Sequence, residues 1–219
     1  ISEQLQRYRA GLGNLLLTDY REFRWYVAGE RRLTARLTEG SVSSLAELLT
    51  QFLTVAAPLI NTPRELAMRL AAQAQLLRGL IQQALGMELS GDSLSGQWQS
   101  IREVLLPHLT VEQFSDLYAQ TLCYGLFTAR CHAPPGEHFT RRQAAYDLPR
   151  TNPFLRTLFS HVAGPELNDN IAWAVDDVAE LLARADIATI LQDFGQHTGQ
   201  EDAVVHFYET FLAAYDPAL

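Results

Sequence analysis

The chain has 219 residues, of which 47% are hydrophobic and 19% charged, with a formal net charge of −8. That composition describes a globular protein with one large or two small cores, and no apolar run reaches the roughly 18 residues that a membrane span needs. All 17 basic residues are arginine, which excludes a P-loop and every mechanism built on a catalytic lysine.

The opening stretch, residues 4–8, reads as the back half of a helix. It leads into "NLLLTDY", an apolar run of the kind a buried strand shows, and then "EFRWYVAG", where Phe23, Trp25 and Val27 alternate with Arg24 and Tyr26. "RRLTARL" is a third short strand. A hairpin cannot bury its faces alone, so these strands are expected to be the end of a sheet domain that begins upstream. "GLG" at 11–13 precedes a strand and lacks a third glycine, which makes it a turn and not a dinucleotide fingerprint.

"TEGSVSS" is the predicted domain boundary, dividing the chain into residues 1–40 and 41–219. Beyond it the pattern is helical. Ser43 or Ser44 is expected to cap a helix to about Ala57, with Leu45, Leu48, Leu49, Phe52 and Val55 at helical spacing. In "NTPRE", Thr62 is the N-cap, Pro63 the first helical residue and Glu65 the closing arm of a capping box. Thr110 with Gln113 starts a long helix that is apolar nearly all round and so central, with Phe114, Leu117, Tyr118, Leu122 and Leu126 facing one way. Thr140 with Gln143 starts a short helix. Further helices are expected near 154–162, 170–185, 186–194 and 202–215. The fold expected is mainly α, a helical bundle preceded by a short β-hairpin remnant of an α/β nuclease-like domain.

Cys123 and Cys131 lie eight residues apart in one predicted helix, about 12 Å along its axis and too far for a disulfide. Reduced core thiols and the lack of a signal-peptide pattern point to a cytoplasmic protein with no membrane partner. Cys131, His132 and His138 show neither CxxC nor HExxH spacing, so no metal site is expected. Asp176–Asp177 and Glu201–Asp202 are read as acidic residues near helix N-termini, favoured there by the helix dipole. "TNPF" at 151–154 is a helix-start turn. The aromatic stripe Val204, Phe207, Tyr208, Phe211 and Tyr215 belongs to a core or docks a neighbouring domain.

Charge is distributed unevenly. Residues 1–163 carry a net +2 and residues 164–219 a net −10. The one basic stretch, 130–156, holds Arg130, Arg141, Arg142, Arg150 and Arg156. These are the candidates for contact with DNA phosphates, against the plainer reading of a solvated face with local ion pairs. The acidic last quarter is not expected to lie on phosphates.

Two segments carry a resemblance. "QLQRY" is a Q-x-x-x-Y, Gln4 and Tyr8, on a helix followed by a strand. It resembles the helix after the catalytic strands of PD-(D/E)xK nucleases, and "NLLLTDYREFRWYVAGE" is similar to the strands that follow it in large restriction-modification proteins. "VVHFYETFLAAYDPAL" resembles the segment leading into the N6-adenine DNA methyltransferase domain of the same proteins, the type ISP and single-chain enzymes. The match covers about 35 residues at the start and 16 at the end. The resemblance implies a helical coupler between nuclease and methyltransferase domains, with Gln4 and Tyr8 as the remnant of the nuclease motif. No catalytic set is complete in the chain and it holds no cofactor of its own. S-adenosylmethionine and Mg2+ are implied for the parent protein, with DNA and the parent's own nuclease and methyltransferase domains as partners. The alternatives are a free-standing helical interaction module with no catalytic parent, and a nuclease whose active site this chain completes in trans.

Overall fold

The computed structural model describes residues 2–38, 40–55, 59–86, 93–104, 106–134, 138–147, 159, 167–197 and 203–216. The protein is mainly α, with a small antiparallel sheet that follows one short helix and precedes all the others described, as its periodicity predicts. It divides into two compact units, residues 1–59 and 60–219. Among the described residues no helix is long and apolar enough to cross a membrane.

The first unit contains α1 (Glu3–Gly11), strands β1 (Asn14–Thr18), β2 (Glu22–Val27) and β3 (Glu30–Arg36), and α2 (Val42–Thr54). The strands form an antiparallel meander in the order β1-β2-β3. Leu16 pairs with Trp25 and Thr18 with Phe23, while Phe23 also pairs with Ala35. Period-two alternation therefore sends Leu16, Phe23, Trp25 and Val27 to one face. There they pack with Ala35 against Leu45, Leu48, Leu49 and Phe52 of α2. Asn14 ties the two layers, accepting from Trp25 Nε1 at 2.7 Å and donating to the Phe52 carbonyl at 3.0 Å.

This packing moves the domain division from the expected 40/41 to 59/60. The apolar stripe of α2 covers the sheet, so the helix belongs to the first unit. Ser41, not Ser43 or Ser44, precedes it.

Two turns hold non-glycine residues in the left-handed region. Tyr20, at φ 67°, sits between β1 and β2. Asp19 Oδ1 accepts from the amides of Arg21 (2.9 Å) and Glu22 (2.7 Å), and Thr18 Oγ1 accepts from that of Tyr20 (2.8 Å). Between β2 and β3, Ala28 (φ 49°) and Gly29 (φ 79°) form the two-residue loop, and such loops favour Asn-Gly because both residues need positive φ. Arg9 closes over the second turn, donating from Nη2 to the Gly29 carbonyl at 2.8 Å with its guanidinium 4.9 Å from the Tyr26 ring centre. Replacing Ala28 by Asn is expected to raise stability by about 0.5–1 kcal/mol, since Asn tolerates the left-handed region better than Ala. Urea unfolding followed by Trp25 fluorescence, with Trp98 and Trp173 replaced by Phe, measures it, and an unchanged midpoint would contradict the assigned turn.

The second unit contains α3 (Pro63–Gly86), α4 (Ser93–Val104), α5 (Val111–His132), α6 (Arg141–Asp147), α7 (Asp169–Ala183), α8 (Ile187–His197) and α9 (Ala203–Tyr215). Thr62 Oγ1 accepts from the Glu65 amide at 3.3 Å, while the Glu65 carboxylate pairs with Arg69 one turn on, at 2.8 Å. At α5 the capping box is complete, with Thr110 and Gln113 bonding each other's backbone amides. Helix α3 packs against α5, α7 and α9. Leu66, Leu70, Leu77 and Ile81 of α3 are fully buried, as are Phe114, Leu122, Leu126 and Phe127 of α5. Leu117 departs from the expected stripe and is 46% exposed, because it lies one step off the buried arc between Phe114 and Tyr118. Phe207 of the C-terminal aromatic stripe stacks on Phe127 at 3.9 Å, and Phe211 and Tyr215 are buried beside it. The stripe is core. Of the helix expected at 154–162, only Phe159 is among the described residues; it is helical and fully buried. "TNPF" and Glu201–Asp202 lie outside the described residues.

Candidate functional site

Gln4 and Tyr8 lie one turn apart on α1, Gln4 exposed and Tyr8 half-buried. Ser2 caps this helix through the Leu5 amide at 3.3 Å, and Arg9 anchors its last turn to Gly29. The helix runs through Leu12 and Gly13 straight into β1.

The arginine candidates divide into three groups. Arg130 donates from Nε to the Leu182 carbonyl at 3.1 Å, and its guanidinium is 5.8 Å from the Phe139 ring centre. Arg141, with its side chain only 11% exposed, forms a two-point pair with Asp176: Nε to Oδ1 at 2.8 Å and Nη2 to Oδ2 at 3.5 Å. Both head groups are thus engaged by α7, holding α5 and α6 to it. Arg142 is exposed. Arg150 and Arg156 lie outside the described residues.

Asp176 and Asp177 are not at a helix start. Asn168 caps α7, accepting from the Asn170 amide at 2.7 Å, so both aspartates fall mid-helix. The dipole therefore does not explain them; their partners do. Asp176 faces Arg141. Asp177 turns inward, where its Oδ2 accepts from Nε2 of the buried Gln73 at 2.6 Å. Burial, with the like charge of Glu180 behind it, holds the Asp177 carboxyl above its ordinary value. Gln73 Oε1, also buried, has no partner.

A second polar seam joins α3, α5 and α9. Tyr215 donates to Asp116 Oδ1 at 2.5 Å, Arg78 Nη1 lies 3.4 Å from the same oxygen, and Gln120 donates to Oδ2 at 2.8 Å. Burial and the Asp116 carboxylate both raise the Tyr215 hydroxyl. Neither seam stood out in the sequence. Gln73 leaves a trace, being a polar residue in the helical row Leu66, Leu70, Leu77.

Cys123 is fully buried, and burial alone raises its thiol well above the ordinary value, which makes it a poor nucleophile. Cys131 is half-buried. The neighbouring His132 is bonded through Nδ1 to the Thr128 carbonyl at 2.8 Å, and His138 is exposed. Among the described residues no group of three or more His, Cys, Asp or Glu side chains converges as a metal site would require.

The polar chemistry of the helical unit's described residues is therefore that of helices held together. Comparison with protein-family models, curated proteins and solved structures found no match to this chain.

Proposed function

We propose that the chain is the helical coupler, with the tail of a nuclease-like domain, of a DNA restriction-modification enzyme that methylates adenine N6. On this reading it carries no active site of its own. It transmits between a nuclease and a methyltransferase that uses S-adenosylmethionine, with Mg2+ at the nuclease. The observation that carries the reading is the N-terminal unit: Gln4 and Tyr8 stand one turn apart on a helix that opens directly into an antiparallel meander, the order the resemblance requires. The internally paired aspartates and arginines of the helical unit are in keeping with a spacer. If 130–156 follows DNA, then among the described candidates the contact falls on Arg142, because Arg130 and Arg141 are engaged by α7.

Three measurements test this. The reading frame should continue past Leu219 into a glycine-rich cofactor loop; a stop codon there would sink the reading. The 219-residue chain should show no calorimetric binding of S-adenosylmethionine at micromolar concentration. In the full-length enzyme, Gln4→Ala should weaken cleavage by roughly ten-fold or more while methylation stays nearly unchanged, the mark of a residue acting only at the nuclease. Equal loss of both activities would make α1 purely structural.

A further inference from the structure

We propose that the meander of the N-terminal unit is a binding surface for a single strand of nucleic acid, with exposed arginines of the sheet face turned away from α2 on phosphates and Tyr20 stacked on a base. The proposal does not depend on the coupler reading and needs no methyltransferase. It starts from charge. The N-terminal unit, residues 1–59, carries seven arginines against six acids, whereas residues 60–219 carry a net −9. All seven of those arginines lie within residues 2–38, with four of the acids.

The strand register places those arginines. Trp25 and Ala35 point toward α2, so Arg24, paired with Thr34, and Arg36, paired with Glu22, point to the opposite face. Tyr26 of that face is buried under the Arg9 guanidinium, while Arg31, paired with it, stays exposed on the edge strand. Glu22 is the one acid on this face of the three strands. It is shared between Arg24 and Arg36, which leaves the cluster net positive. The Arg24 and Arg36 side chains remain 43% and 76% exposed. From Arg31 to Arg36 the row runs about 15 Å along β3, enough to follow several phosphates of an extended strand. Arginine rows of this kind track a polynucleotide backbone without reading its sequence.

Tyr20 supplies the second, independent observation. Its backbone is left-handed, a conformation that glycine adopts freely and a bulky residue adopts under strain, and its side chain is 81% exposed. The fold gains little from a ring held in solvent at a strained turn. The Leu37 amide donates to the Arg21 carbonyl at 2.8 Å, which brings the end of β3, with Arg36, alongside that turn. An exposed aromatic ring beside a row of arginines is the combination that holds unpaired bases. On a duplex the ring would have no face to stack on.

The test uses the 219-residue chain and a fluorescein-labelled oligothymidylate of about 20 nucleotides, followed by anisotropy between about 50 and 200 mM KCl. Affinity should fall steeply with salt, and Arg31→Gln with Arg36→Gln should reduce the slope by roughly 1.4, two phosphates on a single strand. Tyr20→Gly should weaken binding by roughly five-fold or more while the melting temperature does not fall, since glycine relieves the turn. Tyr20→Phe should bind as the parent does. Oligouridylate should bind about as well, because stacking tolerates any base. The proposal is overturned by unchanged binding in Tyr20→Gly, by tighter binding of a duplex, or by polyglutamate competing as well as unlabelled oligonucleotide. It is overturned too if Arg142→Ala lowers the salt slope and the sheet variant does not.

Discussion

Among the described glycines, Gly125→Ala is expected to be the most damaging change. Gly125 is buried in the middle of α5, and a Cβ built there would lie 2.6 Å from Phe159 Cζ and closer still to Cε2. The fully buried Phe159 ring fills the notch that the missing side chain leaves. Overpacking of this kind costs about 3 kcal/mol, which for the helical unit would lower the melting temperature by roughly 6–12 °C. Phe159→Leu removes the ring atoms that meet the new methyl. It destabilises on its own, through the cavity it opens. In that background Gly125→Ala should cost less than half as much, a coupling of about 2 kcal/mol in a double-mutant cycle. Strict additivity would mean that the methyl meets something other than this ring.

The second large effect is expected at the buried pair Gln73–Asp177. Gln73→Leu strips the Asp177 carboxylate of its donor and should cost about 2 kcal/mol at neutral pH. Asp177→Asn should act in the opposite direction. An unfolded aspartate loses its proton at about pH 3.9, whereas burial and the charge of Glu180 raise the folded value. Between the two values the folded state binds more proton than the unfolded chain, so stability falls as pH rises through this window. The asparagine variant has no proton to lose. It should be more stable than the parent at pH 7 and show no advantage below about pH 4. Chemical denaturation at several pH values measures the difference. A parent whose stability rises from pH 4 to 7 relative to the variant would show that Asp177 is stabilised in its charged form.

Most helix starts could be read in advance because the signals are local. Thr62 and Thr110 cap helices within the span of four residues, and β2 announces itself by alternation between Phe23 and Val27. Where the reading missed, the deciding contact was distant in sequence. The stripe from Leu45 to Val55 is equally apolar whether it faces a sheet or a bundle, and only Trp25 and Ala35 decide which. Asp176 and Asp177 look like an acidic helix start until Asn168 is seen to cap eight residues earlier, leaving them to meet Arg141 and Gln73. The arginine candidates could be picked by charge alone, but not sorted. That Arg141 is engaged and Arg142 exposed depends on which side of α6 meets α7. Tyr20 left no sequence signal, because strain is a property of φ and not of composition.

The short parallel bridge between Ile60 and Ala185 has a consequence for the order in which the molecule forms. Ile60 receives the Asp186 amide at 2.9 Å and donates its own to the Arg184 carbonyl at 3.2 Å. The entry to α3 is thereby bonded to residues that follow it in synthesis by more than a hundred positions. Helix α9, later still, packs on α3 as well. Such long-range closure is slow to search and cannot begin before both partners exist. On the ribosome the meander with α2 can complete its core once residue 55 has emerged. The helical unit must wait with the apolar flank of α3 uncovered until α9 is out of the exit tunnel. That interval is when the chain is most open to aggregation.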